Sequence, residues 1–159
     1  MTFEIRRAQA GDLAAVLQGL RALAADLGDG FNATGAQVQQ ALFGPHPAAR
    51  AQLAFQGGAL VGLAYYSPMF STMLGGAGCY VSDLWSHESA RGQGLGARLL
   101  AAVQADAAAD WAGAFIKLAA YKDNAAALAF YRKLGFEVLG DEHALRLSGA
   151  ALQALKDPR

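Results

Sequence analysis

The run Arg91-Gly92-Gln93-Gly94-Leu95-Gly96-Ala97 stands between an extended apolar segment and a helical one. Upstream, Cys79 to Trp85 reads as a strand. Downstream, from Gly94 to about Asp110, Leu95, Leu99, Leu100 and Val103 recur at helical spacing. A helix N-terminus leaves backbone N–H groups unpaired and carries partial positive charge. Glycines let an anion approach that backbone closely. The run therefore suits a diphosphate held through the main chain, with the amides of Gln93 to Ala97 as donors. It is not a P-loop, because no Gly-Lys-Ser/Thr closes it. Nor is it a dinucleotide fingerprint: Gly92, Gly94 and Gly96 do not space as GxGxxG, and no acidic residue follows at the required distance. A turn that merely lets helix and strand pack would use the same glycines, so the run alone leaves both readings open.

A second segment narrows the choice. Asn124, Ala127, Phe130 and Tyr131 lie on a helix that runs to Leu134 and closes at Gly135-Phe136, with Asp123 or Asn124 as its cap. Asn124 and Tyr131 are about two turns apart and share one face. Before the glycine run, Glu4 to Ala8 reads as a strand. Leu13, Val16, Leu17, Leu20, Leu23 and Leu27 form one apolar helix face behind Asp12 as cap, and Gly28-Asp29-Gly30 ends it. A short helix is expected from Gly35 to Leu42 with Thr34 as its cap. Gln52–Phe55 and Leu60–Tyr66 flank a hairpin turn at Gln56-Gly57-Gly58-Ala59, and Gly75-Gly76-Ala77-Gly78 is a second turn. Ser86 to Gln93 is expected as a loop. Ala114–Ala120 is a strand, and Phe136–Leu139 and Ala144–Leu147 are expected as two last strands. The order predicts an α/β domain over residues 1–159, a mixed, mostly antiparallel sheet with helices on both faces around one core.

Composition bounds the function. The chain has 159 residues, with Lys+Arg 13 and Asp+Glu 13, so the formal charge is zero. A protein devoted to gripping nucleic acid needs a basic excess. Hydrophobic residues make up 54% and charged ones 16%, which excludes a mainly disordered chain. The richest apolar stretch, 101–120, is interrupted by Asp106, Asp110 and Lys117, so no membrane span is expected. Met1-Thr2-Phe3-Glu4-Ile5-Arg6-Arg7 shows no apolar run behind its charges, and the expected compartment is the cytoplasm. One cysteine, Cys79, and three dispersed histidines, His46, His87 and His143, give no zinc-type cluster, so no metal is expected. Ser86-His87-Glu88 carries triad letters, but contiguous loop residues cannot form a nucleophile–base–orienter geometry. A strand cysteine is ordinarily a small buried apolar group.

Together, the two segments resemble the acetyl-CoA-binding half of the GCN5-related N-acetyltransferase (GNAT) superfamily. Its phosphate loop, Arg/Gln-x-x-Gly-x-Gly/Ala, is met by Arg91, Gly94 and Gly96. Its later helix, Asn-x-x-Ala-x-x-Phe-Tyr followed by Gly-Phe, is met by Asn124, Ala127, Phe130, Tyr131, Gly135 and Phe136. Residues 42–84, with Gly62-Leu63-Ala64-Tyr65-Tyr66 and Tyr80-Val81-Ser82-Asp83-Leu84, look like the diamine (spermidine/spermine) acetyltransferase branch, a looser match.

The resemblance implies transfer of acetyl from acetyl-CoA to a primary amine of a small molecule, polyamine or amino-acid-like, in a cytoplasmic homodimer. The loop from Arg91 through Gly92, Gln93, Gly94, Leu95 and Gly96 to Ala97 would take the diphosphate. Asn124, with Ala127 on its helix, would bind the pantetheine or diphosphate end. An amide at Leu84 or Trp85, next to Ser86, would donate to the thioester carbonyl. Lys133, with Lys122 and Arg132, could meet the 3′-phosphate of CoA, and helix charges in solvent look the same in sequence. Tyr131 is the leaving-group acid, since a phenol of pKa about 10 is near enough to a thiol of about 8.5. The diamine branch carries Glu-Asp where this chain has Ser82-Asp83, and serine is no base at neutral pH. Either Asp83 acts as the base at this catalytic position, or a water chain leads from Ser82 to another group, or the substrate differs. Strand alternation would put Ser82 and Asp83 on opposite faces, so Asp83 is not a simple substitute. Tyr65, Tyr66 and the loop from Gly28 to Phe31 could line the acceptor pocket. Two alternatives fit the same letters: a non-catalytic acyl-CoA sensor, which Ser82 favours, and a peptide or protein N-acetyltransferase.

Overall fold

A computed structural model describes residues 2–155. They fall into two compact units, one ending at Ala120 and one beginning at Tyr121.

The first unit is a five-stranded sheet in the order β1 (Glu4–Arg7), β2 (Arg50–Gln56), β3 (Ala59–Ser71), β4 (Gly76–Ser86), β5 (Ile116–Leu118). The first four strands pair antiparallel and β5 runs parallel to β4. Three helices cover it: α1 (Leu13–Leu27), α2 (Gly35–Phe43) and α3 (Leu95–Trp111). Strand alternation assigns the faces. Leu53, Leu63 and Trp85 point to one face and cluster with Val16 and Leu20 of α1 and Val38 and Leu42 of α2. Gly62, the neighbour of Leu63, points to the other face. A Cβ there would stand 2.9 Å from Leu95 Cδ2 and 3.0 Å from Leu99 Cδ1, so its bare backbone is what lets the start of α3 press on β3. Leu53, Leu63, Leu95 and Leu99 are fully buried, each contributing about 1.5–3 kcal/mol of transfer free energy.

The local signals behave as their chemistry dictates. Thr34 and Gln37 form a reciprocal capping box at α2, with Gln37 N–H donating to Thr34 Oγ1 at 3.2 Å and Thr34 N–H to Gln37 Oε1 at 2.9 Å. Gly28 ends α1 in the left-handed region at φ 71°. Asp12 corrects the expectation of a side-chain cap for α1. Its carboxylate instead takes the Gln9 N–H at 2.8 Å and a bidentate pair of bonds from Arg6 at 2.7 and 2.9 Å. The Arg6 bonds, foremost, hold it below the ordinary carboxylate range. The second hairpin turn falls earlier than expected, at Thr72–Gly75, because β3 continues through Pro68 to Ser71. The expected loop after β4 contains a 3-10 turn, Glu88–Ala90, capped by His87 through the Ser89 N–H at 3.2 Å.

A polar network crosses the α3 face. Tyr66, fully buried, donates to Asp106 Oδ2 at 2.7 Å and accepts from Gln52 Nε2 at 3.0 Å. Arg50 pairs with Asp106 at 2.8 Å and Asp110 at 2.7 Å, and its guanidinium lies 4.4 Å from the centre of the Trp111 ring. Tyr66 is therefore a core residue beneath α3, which corrects its placement in an acceptor pocket. Cys79 is buried, and burial pushes its thiol up to about 11.

The second unit contains α4 (Ala125–Lys133) and a short helix, α5 (Gly149–Ala154), which sequence periodicity did not predict. Phe136–Leu139 and Ala144–Leu147 are not strands, contrary to expectation. Their apolar alternation is real. A strand, however, forms by pairing, and among the described residues neither segment has a ladder partner. Val138, Leu139 and Leu145 are correspondingly exposed.

Candidate functional site

The β3–β4 ladder is irregular at one place. Tyr65 faces Asp83 and Tyr66 faces Val81, so Ser82 is inserted opposite no partner. This is a β-bulge, two residues set against one. It overturns the alternation argument. Ser82 Oγ lies 2.7 Å from Asp83 Oδ2 and 3.3 Å from the Tyr65 carbonyl oxygen, so hydroxyl and carboxylate are neighbours rather than residents of opposite faces. Asp83 shares the α1/α2 face with Tyr65 and Trp85, its flanking neighbours in register and along the strand. Burial raises the Asp83 carboxyl above the ordinary range and the Ser82 hydrogen bond offsets part of that rise. The Tyr65 phenol is raised by burial and then by the charge of Asp83.

Among the described residues the same strand is half unpaired on its β5 edge. β5 pairs with β4 only at Cys79, Tyr80 and Val81, and among the described residues no strand lies on that edge from Ser82 to Ser86. Alternate backbone groups of a strand point to each edge. The stretch holding Leu84, Trp85 and Ser86 therefore presents main-chain donors and acceptors to an unpaired edge. The bulge and the bare edge begin together.

β4 leads into the glycine run. His87 N–H donates to the Val61 carbonyl at 2.8 Å, and Gln93 Nε2 to the Ser89 carbonyl at 2.8 Å, which fixes the connection. Gly92 and Gly94 have φ of 73° and 76°, left-handed values that favour glycine, and Gly94 is the N-cap of α3. The ladder of α3 opens with Arg98 N–H to the Gly94 carbonyl at 3.2 Å. The amides of Leu95, Gly96 and Ala97 thus have no intrahelical acceptor. A Cβ built on Gly92 or Gly94 would meet nothing within 4 Å. Amides without an intrahelical acceptor at the positive end of a 17-residue helix, entered through glycines with room around them, fit a diphosphate. The side chain of Arg91 is bonded to two neighbours outside the run. Its Nε donates to the Ser86 carbonyl at 3.0 Å and its Nη2 to Asp26 Oδ2 at 2.6 Å. Asp26 had no signal in sequence, standing 65 positions away.

In the second unit Asn124 caps α4, its Oδ1 accepting from the Ala127 N–H at 3.1 Å. Tyr131 is held between aromatic rings, with Phe130 at 5.2 Å and Phe136 at 5.4 Å between centroids. Burial lifts its phenol above the ordinary value, so it is fully protonated at neutral pH. Lys133 and Arg132 close the helix, exposed, at its negative end. Among the described residues, no three His, Cys, Asp or Glu side chains gather as a metal site, and no helix is long and apolar enough to cross a membrane.

Comparison with known proteins agrees with this architecture. An integron cassette protein from the mobile metagenome of V. cholerae superposes with a TM-score of 0.77 at 24% identity, covering 99% of each chain. Ribosomal-protein-alanine N-acetyltransferase from Brucella melitensis biovar Abortus 2308 gives 0.70 at 19% identity, covering 92% of this chain and 100% of its own. An aminoglycoside acetyltransferase from an uncultured soil metagenomic sample, solved with sisomicin, gives 0.73 at 19%, covering 91% and 97%. At these identities the likeness establishes the fold. Residues 20–136 match the family described as acetyltransferase (GNAT), which generally uses acetyl-CoA, and the chain belongs to that family.

Proposed function

We propose that this protein transfers the acetyl group of acetyl-CoA to a primary amine of a small cationic molecule, of the diamine or amino-acid-like kind. The chain would work as one catalytic domain and as a cytoplasmic homodimer. The observation that carries the reading is the bulge at Ser82, which sets hydroxyl and carboxylate together where the β5 pairing of β4 ends. Acetyl-CoA, when bound, supplies an activated acetyl thioester. The amides from Gln93 to Ala97 would hold its diphosphate; a part for Asn124, in the second unit, on the arm of the coenzyme is what the family resemblance implies. An amide at Leu84 or Trp85 donates to the oxygen on which negative charge develops. Asp83 takes the proton from the acceptor ammonium, which must be neutral to attack and has a pKa of about 10 when free. As the new C–N bond forms and the C–S bond breaks, Tyr131 would give a proton to the departing sulfur and would be reprotonated at the expense of the proton that the acylated nitrogen sheds.

The soil enzyme solved with sisomicin and the ribosomal-protein-alanine enzyme bracket the acceptors worth testing. The decisive experiment follows CoA thiol release with polyamines, aminoglycosides, aminoacyl amines and peptides as acceptors. Turnover with a small amine supports the reading, and turnover with peptides alone would replace it. Ser82 in place of the branch's glutamate keeps a second reading alive, a sensor that binds acyl-CoA without turnover. Tight CoA binding with no thiol release from any acceptor would favour it.

Two variants test the parts. Gly94→Asp is expected to weaken CoA binding by about tenfold or more in calorimetry. Aspartate tolerates a left-handed backbone moderately well, so Gly94→Asn serves as the neutral control and loses much less. Tyr131→Phe is expected to lower kcat by about tenfold with CoA affinity within about twofold. The effect is modest because a thiolate already leaves readily. Unchanged kcat removes Tyr131 as the acid.

A further inference from the structure

Asp26 lies in the last turn of α1, where the Gly28 N–H already caps the carbonyls of Ala24 and Ala25 and the Asp29 N–H reaches the Ala24 carbonyl at 2.8 Å. A helix C-terminus carries partial negative charge. The end of α1 thus presents a carboxylate and the negative end of a dipole to Arg91, the residue that opens the glycine run. An anion seated on that run would be repelled by both. Arg91 stands between them, with Nη2 on Asp26 at 2.6 Å and Nε on the Ser86 carbonyl at 3.0 Å. These two bonds fix where the guanidinium sits, and gripping a phosphate oxygen through Nε or through the Nη2 hydrogen on Asp26 would break one of them. Nη1 takes part in neither bond, so the choice between screen and ligand falls to affinity.

We propose that Arg91 serves the coenzyme loop as an electrostatic screen rather than as a phosphate ligand, and that Asp26 is the positioning residue that holds it in that role. The proposal rests on the reading of residues 91–97 as the diphosphate site. The pair joins three elements: α1, the end of β4 and the entry to α3. Arg91 cancels the carboxylate of α1 and leaves the diphosphate to main-chain donors alone.

The test is a double-mutant cycle on CoA affinity, read by calorimetry at low and moderate salt. Arg91→Ala is expected to weaken CoA binding by about three- to tenfold, the range for a partly exposed charge, with the loss shrinking as salt rises. Adding Asp26→Asn to Arg91→Ala is expected to restore affinity to within about twofold of the parent. Arg91→Lys, which keeps the charge without the fork, is expected to bind like the parent. A direct phosphate ligand gives the opposite pattern: the double variant stays as weak as Arg91→Ala, and the proposal falls. It falls also if Arg91→Ala binds CoA like the parent. Arg91→Gln replaces Arg91→Ala should the latter melt early. If the parent protein binds no CoA, the reading of the loop fails, a result separate from every outcome of the cycle.

Discussion

Asp83→Asn is expected to lower kcat/KM for the acceptor amine by about a thousandfold, within the range for loss of a positioned general base. CoA affinity is expected to stay within about twofold, because the change lies on the α1/α2 face and leaves the glycine run untouched. The base must be ionised to act, so activity should fall on the acid side as the Asp83 carboxyl is protonated. Burial places that titration above the ordinary carboxylate value, and the Ser82 hydroxyl draws it part of the way back. Ser82→Ala removes a donor to the charged form, so the acid limb should move to higher pH while the plateau survives. Asp83→Asn should abolish the limb. A pH–rate profile that keeps its acid limb in Asp83→Asn would show that another group carries the proton.

Asp106→Ala is expected to destabilise the fold by about 3 kcal/mol, read as a lower midpoint in urea. The loss comes less from the bonds themselves than from what is stranded. Tyr66 would keep a buried hydroxyl without its acceptor, and Arg50, its side chain only 19% exposed, would keep one carboxylate partner of two. Burial alone would raise the Asp106 carboxyl, but the bonds from Tyr66 and Arg50, with Arg7, outweigh it and hold it low. A carboxyl titrating lower in the folded state than in the unfolded chain stabilises fully above the unfolded value of about 3.9 and loses that contribution as pH falls through the folded one. The parent protein should therefore lose stability on acidification below about pH 4 more steeply than Asp106→Ala.

Much of this was legible in the letters. Thr34 announced the start of α2, Gly28 the end of α1, and Gly57-Gly58 a hairpin, because each signal is local and the physics that reads it spans a few residues. The glycine run was legible for the same reason. What escaped was non-local. The bulge at Ser82 depends on two residues of β4 meeting one of β3, and nothing in Val81-Ser82-Asp83 declares an insertion. The ion pair of Arg91 with Asp26 links residues 65 positions apart. Tyr66 looked like its neighbour Tyr65 until the sheet sent one ring to each face. Asp106 had left a trace: it sits beside Val103 and Ala107 on the stripe of α3 that faces the sheet, an odd place for a charge unless something meets it. Val138, Leu139 and Leu145 had the alternation of strands, but alternation states which side would be buried and not whether a neighbour exists to bury it.

The border of β4 that has no strand partner among the described residues carries a hazard as well as an opportunity. Unsatisfied peptide groups in a row invite any passing extended chain to add itself, the first step of aggregation. Here the row spans Ser82 to Ser86, starts at a kink and runs out into the turn at Glu88. It is long enough to pair with one slender extended arm and too short and irregular to template a ribbon, so the unpaired margin is a poor seed for open-ended strand addition.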